Sequence, residues 1–160
     1  MSGSMPADRL IALYGLQPHP EGGWYAKVHR SSLRVQRGDG ASRSALTTIL
    51  FLLKAGEISR WHRVDGADET WHFAGGAPLE LFCIAAPGAG LDPVVLASPE
   101  TPAGQPLAVV PAGCWQAARS TGAWSLVSCC VGPGFDFSDF TLLRDLPEGQ
   151  RPVLPLPALL

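Results

Sequence analysis

The sequence predicts an all-β domain, a sandwich or short barrel, on three observations. It contains 18 Gly and 15 Pro in 160 residues; both interrupt helix and strand interiors, so many short elements joined by turns are expected. Short apolar segments recur along the chain, each bounded by Gly, Pro or Asp. Apolar residues make up 46% of the chain and charged residues 16%, a balance that builds a packed core. One domain over residues 1–160 is expected, with its core at about 10–145 and a Pro- and Leu-rich tail at 146–160.

The elements follow in order. Ser4 to Gly15 reads as a short helix: Ser4 can cap it, Pro6 suits its first turn, Leu10, Leu13 and Tyr14 share a face, and Gly15 ends it. Leu16 to Gly23 is a turn-rich approach to a first strand, Trp24 to Arg30. Arg34 to Ser42 carries Gly38, Asp39 and Gly40 and reads as a loop. Thr47 to Leu53 is β-branched and apolar throughout, which predicts a strand covered on both faces, inside a sandwich or at a subunit contact. Further strands are expected at Glu69 to Phe73, Leu79 to Ala85, Val94 to Ala97, Leu107 to Val110, Trp124 to Val131 and Asp139 to Leu143.

Composition also excludes partners. The net charge is −2 and no basic block stands out, whereas nucleic acid demands clustered cations to displace counterions. No apolar run approaches the roughly 18 residues that cross a bilayer, and the first residues lack the pattern of a signal peptide; a cytoplasmic protein is expected. Cys83, Cys114, Cys129 and Cys130 show no paired C-x-x-C spacing and read as buried thiols, with Cys129 and Cys130 on opposite faces of a strand.

Two stretches carry candidate chemistry. Gly56, His62, Val64, Glu69 and Gly76 match the spacing G-x5-H-x-H-x3–4-E-x6-G, with Val64 where a second histidine would stand. Pro111, Gly113 and Gln116 match part of G-x5-P-x-G-x2-H-x3-N, with Gln116 in the histidine place and Ser120 in the asparagine place. These resemble the two signature motifs of the cupin superfamily. Pro18-His19-Pro20-Glu21-Gly22-Gly23-Trp24-Tyr25, Trp71-His72-Phe73, Pro111-Ala-Gly113 and the run Gly132 to Phe140 narrow the likeness to the cupin-5 group, over roughly Leu10 to Leu143. The resemblance implies a double-stranded β-helix (a cupin jelly roll) with a short N-terminal helix, a homodimer, and a structural relationship to sugar-nucleotide epimerases that work without a metal.

On that fold His62, Glu69 and Gln116 converge on one pocket. His62 and Glu69 read as an acid–base dyad, the carboxylate orienting the imidazole; Tyr25 or Gln116 would return a proton or polarise a carbonyl. A small polar metabolite is the expected partner, and a sugar or sugar-nucleotide isomerase or epimerase the leading activity. His19 and Glu21, held by a turn of prolines and glycines, would rim the pocket. Trp71, Phe73 and Trp115 would offer stacking faces, and Arg43 could recognise an anion. His72 has the opposite strand parity and should face away. No cofactor is expected. A divalent transition metal would have to use His62, Glu69 and Gln116, and Val64 would add nothing. A non-catalytic metabolite-binding protein and a metal-dependent oxygenase or isomerase are the alternatives.

Overall fold

The structure, a computed structural model, describes residues 5–86, 88 and 92–160. Its elements are helix α1 (Ala7–Tyr14) and strands β1 (Gln17–Pro18), β2 (Trp24–Arg30), β3 (Arg34–Gln36), β4 (Ser42–Ser44), β5 (Thr47–Lys54), β6 (Ile58–Val64), β7 (Asp68–Gly76), β8 (Leu79–Ile84), β9 (Val94–Leu96), β10 (Leu107–Val110), β11 (Trp115–Ser120), β12 (Trp124–Gly132) and β13 (Phe140–Leu142). One sheet runs in the order β1-β2-β5-β12-β7-β10 and faces a second, β13-β6-β11-β8-β9; β3 and β4 form a separate hairpin. All the paired strands are antiparallel. This is the jelly roll that the motifs imply.

The inner faces of the two sheets meet over Phe51, Leu53, Trp71, Leu79, Leu81, Val110, Ala118 and Val127. The outer face of β5 is covered as well. Leu52 packs with Leu10 and Leu16 of the helical segment, and with Leu126, Trp24 and Trp124. The apolar run Thr47 to Leu53 is thus satisfied within one chain, by the sheet core on one side and α1 on the other. Gly15 closes α1 in the left-handed conformation (φ 61°). Pro6 takes the capping position with no side-chain cap bond rather than the first helical turn, and Ser4 lies outside the described residues.

Three expectations need correction. Arg34 to Ser42 is a β-hairpin, β3–β4, not a bare loop. β6 and β11 are full strands that alternation did not reveal. In β6 the neighbours Trp61 and His62 are both buried, Trp61 in the cluster outside the second sheet and His62 in the bore, so the polar–apolar signal of a one-sided strand is missing. The tail explains why: Leu154 and Leu159 pack with Trp61, Phe82, Ile84 and Trp115, and the indole Nε1 of Trp61 donates to the carbonyls of Pro155 (3.2 Å) and Leu156 (3.3 Å). The tail therefore seals the outer face of the second sheet.

All four cysteines are free thiols. Cys129 is in the inner core and Cys130 points the other way, to the Thr48 hydroxyl at 3.4 Å. No helix among the described residues is long and apolar enough to cross a membrane.

Candidate functional site

Between the sheets lies a cavity of about 360 Å³, walled by β2, β5, β6, β7, β12 and the segment after β12. His62 enters it from β6, Glu69 from β7, Tyr25 from β2, and His19 and Glu21 from the turn before β2.

That turn is held tightly. The His19 amide donates to the Gly23 carbonyl (2.9 Å), the Gly22 amide to the His19 carbonyl (3.0 Å), and the Arg60 amide to the Glu21 carbonyl (2.8 Å). Gly22 (φ 109°) lies so close to β6 that a Cβ there would stand 2.1 Å from the Ile58 carbonyl oxygen. The close approach carries the Glu21 side chain inward, where it is 7% exposed.

The hydrogen bonds assign the protons. His62 Nδ1 lies 2.6 Å from the Arg60 carbonyl oxygen, which can only accept, so Nδ1 carries the hydrogen. Nε2 then accepts, and its neighbour at 3.2 Å is Glu21 Oε2. Burial lowers the pKa of His62, against the pull of Glu69 and the Arg60 carbonyl. Burial also raises the pKa of Glu21, against His19 and the Ser59 hydroxyl. Burial thus shifts both groups toward their neutral forms, and in the neutral pairing the carboxyl O–H of Glu21 donates to Nε2 of His62. Glu21 Oε1 accepts from Ser59 Oγ (2.8 Å). His19 Nδ1 accepts the Glu21 amide (3.2 Å), so His19 is neutral too, as the lowering of its pKa by burial requires. Its 3.5 Å approach to the Glu21 carboxyl is therefore no salt bridge.

Glu69 is held separately. The indole Nε1 of Trp71 can only donate, and it donates to Gln116 Oε1 (2.9 Å). This fixes the amide, whose Nε2 donates to Glu69 Oε2 (2.8 Å). Burial pushes the Glu69 carboxyl up to about 7, helped by the neighbouring Glu21 carboxyl and opposed by His62 and the Gln116 bond.

Set against the sequence expectations, His62, Glu69, Glu21, His19 and Tyr25 do wall one cavity, but Gln116 does not; it is buried behind Glu69 and bonded to it. The pairing differs, however: the hydrogen-bonded partner of His62 is Glu21, and Glu69 is bound to Gln116. Trp71 reaches the site only through Gln116 and is otherwise core, 1% exposed. Phe73 packs against the same core. Neither walls the cavity; Gln116 and Glu69 stand between Trp71 and it. Trp115 projects from the outer face of β11 into the tail cluster, with the Arg63 guanidinium over its ring at 4.9 Å. Arg43 is spent elsewhere: its Nε and Nη2 donate to Asp139 (2.8 and 2.9 Å), which Arg37 also holds at 3.0 Å. His72 faces away, with Nε2 on Thr70 Oγ1 (2.9 Å).

The wall that the sequence did not reveal is aromatic. Phe135, Phe137 and Phe140 pack edge to face, with centroids 4.9 to 5.9 Å apart, and Phe140 lies 5.5 Å from the His62 ring. The alternation of Phe and Asp from Phe135 to Phe140 was a usable signal.

A metal would not fit these donors as they stand. Gln116 turns its oxygen to Trp71 and its amide hydrogens to Glu69, and Val64 is apolar. Among the described residues no group of three His, Cys, Asp or Glu is arranged to hold a metal ion.

Comparisons with known proteins bear on this geometry. The family profile Cupin_5, described as cupin superfamily (DUF985), matches residues 8–143. A hypothetical protein from Leishmania major superposes with a TM-score of 0.79 at 33% identity, over 86% of each chain. A protein from Shewanella oneidensis gives 0.77 at 35%, over 86% of this chain and 84% of its own. The capsular polysaccharide assembling protein CapF of Staphylococcus aureus shares the fold, with a TM-score of 0.58 at 11% identity, over 79% of this chain and 33% of its own. No curated protein matches the chain.

Proposed function

This chain belongs to the Cupin_5 (DUF985) branch of the cupin superfamily, and from that premise we propose a small-molecule enzyme that works by proton transfer without a metal. Its activity is that of a sugar or sugar-nucleotide isomerase or epimerase. The reading rests on one observation: two separate buried proton-holding groups, Glu69 and the Glu21–His62 pair, wall the same cavity.

Their chemistry is complementary. A carboxyl with a pKa of about 7 is partly ionised at neutral pH, as suits a general base. Glu69 removes a proton from a carbon next to a carbonyl. The Glu21 carboxyl, backed by His62, gives its proton to the carbonyl oxygen, and an enol results. Returning the carbon proton to the opposite face of the same carbon, with the enol proton going back to the Glu21–His62 pair, completes an epimerisation. Returning it to the former carbonyl carbon of an enediol, with the neighbouring hydroxyl giving its proton to the pair, completes an isomerisation. Tyr25, also on the wall, is placed to hydrogen-bond the substrate. The roles differ from those expected of the motif alone because the partner of His62 is Glu21.

The test needs no prior substrate. Purified protein is incubated in heavy water with keto sugars, sugar nucleotides and keto acids, and proton NMR follows loss of signal at carbons beside the carbonyl. The parent protein is expected to catalyse exchange in at least one compound, and His62→Ala to slow it about 10²–10⁴-fold. A compound that raises the unfolding temperature but comes back without deuterium would make the cavity a binding site only.

A further inference from the structure

The cavity is polarised from floor to mouth, and the cause is an irregularity in β2. Tyr25 pairs with Phe51 and Lys27 with Ile49, but the next pairs are His29 with Thr48 and Arg30 with Thr47. Val28 is therefore an extra, bulged residue. Along a regular strand, Arg30 would share the outward parity of Trp24 and Ala26. The bulge turns it to the same face as Tyr25 and Lys27, and both cations line the cavity.

Neither cation is neutralised. The ion pairs among the described residues engage neither Lys27 nor Arg30. Arg30 makes one hydrogen bond, from Nη2 to the Phe135 carbonyl (3.1 Å). Asp136, an acid on the same wall, feels the charge of Arg30 but forms no ion pair with it and turns Oδ1 to the backbone and hydroxyl of Ser138 (2.9 and 2.7 Å). Lys27 and Arg30 are exposed, whereas Glu21 and Glu69 are buried. An anion is thus drawn to the mouth and away from the partly ionised Glu69 on the floor.

We propose that the cavity takes a small anionic sugar, its carboxylate or phosphate held at the mouth by Lys27 and Arg30 and its carbonyl and hydroxyl end on the floor. A volume of about 360 Å³ lies at the small end of ligand sites, which run from about 300 to 1,000 Å³, and so suits one sugar ring and its charged group. The proposal rests on the proton-transfer reading for the role of the floor, but the recognition is measured by binding alone.

Hexose monophosphates, hexuronates and the corresponding neutral hexoses are titrated by calorimetry into the parent protein, Lys27→Met and Arg30→Met. Methionine keeps the apolar stem and removes the charge. Anionic sugars are expected to bind at least about tenfold more tightly than their neutral counterparts, and each substitution to remove about tenfold. Preference for the phosphate or the carboxylate series identifies the head group. Equal binding of neutral sugars, no binding of any anionic sugar, or unchanged affinity in both variants overturns the proposal. Charge-dependent binding without proton exchange in heavy water would leave it standing and remove the proton-transfer reading instead.

Discussion

Glu69→Gln is expected to be more stable than the parent protein above neutral pH, and catalytically silent. Burial raises the Glu69 carboxyl from an ordinary 4.5 to about 7, so the folded state holds this proton more tightly than the unfolded chain. Its stabilising contribution is complete below about pH 4.5 and is lost as pH rises through about 7. Ionising the group within the fold costs up to about 3 kcal/mol at higher pH. Glutamine cannot ionise, and it can still accept from Gln116. In urea titrations the advantage of the variant should be small near pH 4.5, widen to about pH 7 and then level off. His19 titrates in both proteins and largely cancels in the difference, whereas His62 loses the pull of the Glu69 charge and titrates lower in the variant. A gap that does not change with pH would mean that Glu69 carries an ordinary pKa. Greater stability joined to lost exchange activity is the signature of a residue kept for chemistry at the expense of the fold.

The second large effect is expected at Gly22, which touches no cavity. A Cβ placed 2.1 Å from the Ile58 carbonyl oxygen, at a φ of 109°, meets backbone on a strand that cannot give way. Gly22→Ala should cost about 3 kcal/mol or more, from the left-handed conformation and the overlap together. The turn must then lift from β6 and withdraw Glu21 from His62. Glu21→Gln keeps the turn and removes only the titrating proton. The pair therefore separates position from chemistry: both should lose exchange activity, but Gly22→Ala alone should fall sharply in thermal unfolding. Parent-like stability in Gly22→Ala would show that the turn does not hold Glu21 in place.

How much of this was legible in the sequence depended on whether a signal was local. The spacing from Gly56 to Gly76 placed His62 and Glu69 in one bore because strand parity and hairpin turns are local properties. The prolines and glycines from Pro18 to Gly23 marked a rigid turn, but not its target, since Glu21 meets His62 and Ser59 only through tertiary packing. The strand Ile58–Val64 was hidden because the distant tail buries Trp61 on one face while the bore buries His62 on the other. Trp115 was misplaced for the same reason. Arg30 drew no notice because the bulge at Val28 that turns it to the bore leaves no mark in composition. Arg43 looked free until Asp139 arrived from residues almost a hundred positions away.

The central claim is that the proton between Glu21 and His62 resides on the carboxyl, leaving a neutral imidazole with hydrogen on Nδ1. Ring-nitrogen NMR of histidine-labelled protein, with His62 assigned by substitution, reads the tautomer and charge directly. The account predicts a neutral ring protonated at Nδ1, charging only below the ordinary histidine value of 6.5. An imidazolium that persists above that pH, or a neutral ring protonated at Nε2, would contradict it.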